Sequence, residues 1–266
     1  MQTPSSSPST STATATQLGK IVVIGGTGLI GKQVVQSLRQ QGHDVLAASP
    51  SQGVNAVTGE GLAEALRDAH TVVDVSNSPS FEDRAVMDFF QTSTTHLLTA
   101  SAAAGVQHFI ALSVVGTDRL QAAGYFRAKL VQENLIRASG LPYTLVRATQ
   151  FFEFIGSIAH ASTVNDTVRL TPARFQPIAA HDVAQAVTEA ALAAPYNGLY
   201  DIAGPEALPM TQFVETYLQA QNDPRPVIAD PAAGYFGTPI DDQSLVPLGE
   251  AKLGATDFKT WLEQIK

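Results

Sequence analysis

No cysteine occurs anywhere in the sequence, which excludes disulfides, thiolate metal sites and cysteine nucleophiles. Positive charge is also scarce. Sixteen Lys and Arg stand against twenty-four Asp and Glu, a net charge of −8, so a broad basic surface for nucleic acid is not expected. The six histidines are scattered and never fall at metal-ligand spacing, and no metal site is expected. There is no apolar run of roughly eighteen residues, so no membrane span is expected. After Met1, the residues up to Gln17 are Ser, Thr, Pro, Ala and Gln with no charged side chain, within a segment 1–18. They lack the basic start and apolar stretch of a signal peptide and read as a flexible tail. A soluble, cytoplasmic protein follows by default.

From Lys20 onward, short apolar runs alternate with longer stretches of helical period, the pattern of βαβ units and a parallel sheet. Ile21-Val22-Val23-Ile24 is β-branched throughout, as suits a strand covered on both faces. Ile30, Val34 and Leu38 then recur at helical spacing up to Gly42. Further strands are expected at Val45-Ala48, Thr71-Val75, His108-Leu112, Tyr143-Val146 and Leu199-Ile202. Helices are expected over 60–68, 82–104, 122–138, 182–193, 211–221 and 257–264. The fold class is α/β, a Rossmann-type doubly wound parallel sheet over 19–150. A small substrate lobe follows over 151–266, with some of its segments returning to the core.

Between the first strand and first helix lies Gly25-Gly26-Thr27-Gly28-Leu29-Ile30-Gly31. In that context the spacing is what a dinucleotide site requires. Gly25 permits the tight turn, Gly28 lets the backbone approach a pyrophosphate, and Gly31 lets helix and strand pack closely. The helix N-terminus offers free N–H groups to the phosphates. Thr27, Leu29 and Ile30 belong to the same loop. The second strand decides which dinucleotide binds, because an NAD site presents Asp or Glu at its end for the ribose 2′-hydroxyl. This chain reads Ala47-Ala48-Ser49-Pro50-Ser51 there. Ser49 and Ser51 are donors for a 2′-phosphate, so NADP(H) is favoured over NAD(H), although no Arg or Lys stands beside them in sequence.

Tyr125 and Lys129 are four apart on an expected helix and project from one face. Ser113 follows the His108 strand, at the carboxyl edge where an open parallel sheet binds ligands. A neighbouring ammonium favours a phenolate, so Lys129 is expected to lower the Tyr125 pKa. Ser113 would hold a substrate oxygen while Tyr125 carries the proton. A Tyr and Lys at this spacing also occur on solvated helices; position is what points to chemistry. Phe151, Phe152 and Phe154 lie close together, open equally to core packing and to ligand contact, and Phe152 and Tyr235 are the candidate substrate contacts.

With GGTGLIG at 25–31, Ser113, YFRAK at 125–129 and RATQFFEF at 147–154, the chain resembles an atypical short-chain dehydrogenase/reductase of the NmrA-like NAD(P)-binding group. PIAAHDVAQAV at 177–187 and YDIAGPE at 200–206 extend the resemblance over nearly the whole chain from Lys20. It implies that Lys129 also contacts the nicotinamide ribose, that Ala148 and Thr149 lie near the nicotinamide, and that Val75, Ser76 and Asn77 line the cofactor. It also implies an NADPH-dependent reductase of a small carbonyl, quinone or related unsaturated compound. Two alternatives stay open: a dinucleotide-sensing binding protein without turnover, and a sugar-nucleotide epimerase-like enzyme. A small-molecule ligand is expected as partner; oligomeric state and substrate identity are not legible in the sequence.

Overall fold

A computed structural model describes residues 19–265. The tail expected over 1–18 falls outside them. The chain runs through β1 (Lys20–Ile24), α1 (Gly31–Gln40), β2 (Val45–Ala48), α2 (Leu62–Ala65), β3 (Ala69–Asp74), α3 (Asp83–Ala104), β4 (His108–Val114), α4 (Gly124–Ala138) and β5 (Tyr143–Ala148). Its second part holds α5 (Ile155–Ala161), β6 (Thr163–Val164), β7 (Thr167–Leu170), β8 (Arg174–Phe175), α6 (Ala180–Leu192), β9 (Gly198–Ala203), β10 (Leu208–Pro209), α7 (Met210–Ala220), β11 (Val227–Ala229), β12 (Ala251–Leu253) and α8 (Phe258–Gln264).

Seven strands form one parallel sheet in the order β12-β9-β5-β4-β3-β1-β2, a Rossmann-type doubly wound arrangement. The period of two along each strand sorts side chains onto two covered faces. Ile21, Val23, Val73, Ile110 and Val146 meet Val34 and Leu38 of α1 and Val183 and Val187 of α6. Val22, Ile24, Val72, Phe109 and Leu145 meet Leu66, Leu97 and Ile136 on the opposite side. Each such side chain, wholly buried, contributes about 1.5–3 kcal/mol. Because β2 and β3 lie on opposite sides of β1, the chain reverses direction across the sheet there, and a crevice opens beyond the carboxyl ends of β1 and β3.

Most expected elements are present to within a few residues, with instructive exceptions. The helix expected over 60–68 contracts to the single turn of α2, because Gly61 and Asp68 adopt positive φ (72° and 60°) at either side. Strand β12 had no signal, being three residues long, yet it pairs with β9 and completes the sheet edge. The second part also packs its own aromatic cluster, in which Phe152, Phe175, Phe213, Phe258 and Trp261 meet. Among the described residues, no helix is long and apolar enough to cross a membrane.

Candidate functional site

The crevice at the β1/β3 reversal is walled by two loops. In the first, Gly25 has φ 77°, and a Cβ there would lie 2.9 Å from the Ser76 backbone, so the turn after β1 presses against the loop after β3. A Cβ on Gly31 would collide with the Gly25 carbonyl oxygen and lie 2.8 Å from Gly26 Cα. Gly28 differs: a Cβ there would meet only the Gly25 oxygen, at 3.3 Å, and Thr27, Gly28 and Leu29 form the exposed crest of the loop. The backbone N–H groups of Thr27, Leu29 and Ile30 have no acceptor among the described residues, and α1 begins directly behind them. A crest without side-chain obstruction, unpaired donors and a helix N-terminus together fit the pyrophosphate of a dinucleotide.

Beside it, β2 ends at Ala48 and is followed by the buried Ser49, whose hydroxyl lies 2.9 Å from that of Ser51. No carboxylate stands at this strand end. A groove alongside is lined by Gly26, Thr27, Ala47, Gln36 and Lys32. The groove's two cations, Lys32 and Arg39, both lie on α1, distant from Ser49 in sequence, so linear reading misses them; Arg39 already donates to Val45 O, and Lys32 lies on the first turn. In the second loop, Val75 donates its N–H to Ile24 O at 3.0 Å, and Ser76 is fixed to Asp74 by its N–H and hydroxyl, while Asn77 is exposed.

Helix α4 brings the remaining candidates to the sheet. Its N-terminus crowds α3, since a Cβ on Gly124 would lie 2.5 Å from Asp83 Cγ, and Arg127 pairs with Asp83 across the two helices. Tyr125 follows at the carboxyl end of the sheet in a cage of rings. Phe81, Phe90 and Phe126 have centroids 5.6, 5.9 and 6.0 Å from its own. Burial pushes its hydroxyl up to about 12. That corrects the expectation of a pKa lowered by Lys129: loss of hydration outweighs any attraction from the ammonium.

The ammonium itself points elsewhere. Lys129 is buried; its Nζ donates to Leu112 O at 2.8 Å and to Gln132 Oε1, and lies 4.4 Å from the centroid of Phe90. Burial lowers its pKa to about 8, against the raising effect of Asp74 and Glu133.

Ser113 is a second correction. Its hydroxyl donates to Glu133 Oε1 at 2.7 Å, and Glu133 also accepts from Arg147 at 2.8 and 2.7 Å and from Arg137 at 3.0 Å. A hydroxyl has one proton, so the Ser113 proton is committed to this carboxylate and not to a substrate oxygen. The reason lies in register. Ser113 pairs with Arg147 across β4 and β5, and both face the same side of α4, where Glu133 draws them together. Among the described residues no hydrogen bond joins Ser113, Tyr125 and Lys129 to one another.

Phe152 is a third correction. It is wholly buried, packed on Phe213, Phe258 and Trp261, and so belongs to the core. Tyr235 lies in a tight hairpin closed by reciprocal bonds with Thr238 at 2.8 and 3.0 Å, and its ionisation is disfavoured by burial and, to a smaller extent, by Tyr125. Ala148 and Thr149 are buried at the end of β5. The Thr149 hydroxyl and both amide atoms of the buried Gln150 have no partner among the described residues. Gln150 carried no signal in the sequence, since a single Gln between Thr and Phe has no period or motif of its own.

A family model described as NAD(P)H-binding matches residues 25–194. The photosystem II assembly factor Ycf39 of Cyanophora paradoxa is 28% identical over 166 residues, 57% of this chain and 52% of that protein. The chain spans between about half and two thirds of the length of the first two curated relatives it matches. Among solved structures, MoeE5 in complex with UDP-glucuronic acid and NAD has a TM-score of 0.70 at 18% identity, covering 92% of this chain and 96% of that one. The dTDP-4-dehydrorhamnose reductase of Bacillus anthracis in complex with NADP has a TM-score of 0.68 at 13% identity, covering 95% and 98%. At these identities the structures establish the fold.

Proposed function

Since the chain belongs to the NAD(P)H-binding family whose model it matches over 25–194, we propose that it is an NADPH-dependent reductase of a small carbonyl, quinone or related unsaturated compound, with Tyr125 as the proton donor. The observation that carries this reading is the position of Tyr125. It stands in the first turn of α4, one helical turn from a buried lysine and packed on Phe81 of the segment that follows β3, at the end of the sheet where ligands bind.

When bound, the reduced nicotinamide supplies a hydride. The residues of the chain do the rest. Reduction needs an acid, and a phenol pushed up to about 12 keeps its proton throughout the neutral range. Phe81, Phe90 and Phe126 pack around the half-buried ring of Tyr125 and orient its hydroxyl for delivery of that proton to a substrate. Lys129 supports this edge of the site from beneath, held at the Leu112 carbonyl. Glu133 and Arg147 fix the end of β4 through Ser113, which acts here as an anchor of the strand. The preference for NADPH rests on the missing carboxylate after β2, on Ser49 and Ser51, and on Lys32 as the charge facing a 2′-phosphate.

One observation favours a second reading. With Ser113 tied to Glu133 and Tyr125 covered by rings, the same geometry suits a protein that senses the dinucleotide without turnover. A panel of aldehydes, ketones, quinones and cyclic imines with NADPH, followed by absorbance, separates the two. Turnover that disappears in Tyr125→Phe supports the reductase. Tight NADPH binding with no turnover across the panel supports the sensor.

A further inference from the structure

Two buried side chains outside the chemistry described so far, Asp74 and Gln132, form a polar chain with Lys129. Asp74 ends β3, while Lys129 and Gln132 lie one turn apart on α4, and none is more than 3% exposed. Gln132 Nε2 donates to Asp74 Oδ2 at 2.9 Å, and Gln132 Oε1 accepts from Lys129 Nζ. The other carboxylate oxygen, Asp74 Oδ1, accepts from the Ser76 N–H at 3.0 Å and the Ser76 hydroxyl at 2.6 Å. The chain therefore runs without a break from the loop after β3 to the ammonium on α4.

Its polarity is fixed at both ends. A carboxylate only accepts and an ammonium only donates, so the Gln132 amide has one orientation that satisfies both. Of the three N–H groups on Lys129, two are directed by Leu112 O and Gln132 Oε1, with the Phe90 ring on a further side. Stability alone is a weak reason for such a group. A buried carboxylate and ammonium are costly to dehydrate, and apolar replacements of similar volume are often as stable or more so. What the group does provide is a defined position.

We propose that Asp74 and Gln132 are positioning residues: they hold the Lys129 ammonium at the Leu112 carbonyl and tie that position to the Ser76 loop, so that loop and lysine present one preformed edge to the dinucleotide. This rests on the reading of Lys129 as a residue on the cofactor side of the site. The consequence is a coupling. Cutting the chain at either Asp74 or Gln132 breaks the same link between the lysine and the loop, so the second cut adds little to the first.

The experiment has two arms, both on the full chain. In the first, without dinucleotide, protein labelled at lysine Cε and Nζ is titrated by NMR, with the Lys129 signal assigned by its loss in Lys129→Arg. Lys129 should titrate near pH 8, with burial lowering the midpoint and Asp74 and Glu133 raising it. In Gln132→Leu the ammonium loses an acceptor, and in Asp74→Asn it loses the facing charge. The midpoint should fall by about one unit in each. In the second arm, NADPH and NADH are titrated by fluorescence. Each single variant should weaken NADPH by about tenfold, and the double variant should be no weaker than the poorer single one.

An unchanged Lys129 midpoint in both variants overturns the proposal. So does fully additive weakening, or a shifted midpoint with NADPH affinity unchanged, because the chain would then be structural only. Asp74→Asn is isosteric and keeps the test valid if Gln132→Leu does not fold. Wild-type protein that binds neither dinucleotide removes the cofactor-site premise and with it the coupling, whereas the NMR arm still reports whether Asp74 and Gln132 position the lysine.

Discussion

Gly28 and Gly31 sit three residues apart in one loop, yet the structure assigns them opposite failures. A Cβ on Gly31 would collide with the Gly25 carbonyl oxygen and lie 2.8 Å from Gly26 Cα. Both are backbone, so no side chain can rotate away, and α1 must move from β1. Overpacking of that kind costs about 2–3 kcal/mol, which for a chain of this size lowers Tm by about 5–10 °C. Gly28 has only the Gly25 oxygen within reach of an added Cβ, at 3.3 Å, and its φ is not positive, so an added side chain asks for a small local shift where Gly31 asks for a displaced helix. What a side chain there removes is access to the N–H groups of Thr27, Leu29 and Ile30. Two hydrogen bonds to a charged phosphate are worth at least about 3 kcal/mol, or about a hundredfold in Kd. Gly28→Val should therefore keep Tm within a few degrees and lose NADPH binding by at least that factor. Gly31→Ala should lose stability first. Differential scanning calorimetry and fluorescence titration on both variants provide the check. Retained NADPH affinity in Gly28→Val would mean that the pyrophosphate does not lie on this crest, and the placement of the whole site would fall with it.

Further expectations concern acid, cofactor and pH. Tyr125→Phe deletes one oxygen and leaves the ring contacts with Phe81, Phe90 and Phe126, so NADPH affinity should persist while turnover of a substrate found in the panel drops by about two to four orders of magnitude; full activity would mean that the proton comes from another group. NADPH should bind more tightly than NADH, and Lys32→Ala should weaken NADPH by about tenfold while sparing NADH. Equal losses for both would exclude Lys32 from the 2′-phosphate. His108, buried at the start of β4 with Nε2 2.8 Å from Thr144 Oγ1, is lowered to about 4 by burial, with a smaller contribution from the charge of His70. The unfolded chain thus takes up this proton first. Its contribution to stability, about 3 kcal/mol, is complete above the ordinary histidine value and is lost as pH falls from about 6.5 to about 4. His108→Phe should flatten the fall of Tm across that window, and an unaltered slope would show that His108 does not titrate there.

The sequence by itself determined the sheet, the helices on its two faces and the glycine crest, because these follow from periods of two and 3.6 and from residues whose backbone freedom is local. Ile21 to Ile24 lie in a strand covered on both faces, and Gly25 and Gly31 serve the tight turn and the close packing their spacing implied. The tertiary structure alone decided which polar groups meet. Ser113 looked free at a strand end, but its register with Arg147 turned it toward Glu133 on α4. Lys129 looked like a partner for Tyr125, yet Gln132 and Leu112 hold its ammonium and burial raises the tyrosine instead. Phe152 and Asp74 acquired their surroundings from segments distant in the chain. Periodicity says which face of an element is buried, but the direction of a hydrogen bond and the cost of burying a charge depend on what the opposite element brings, and that is fixed only when the sheet is assembled.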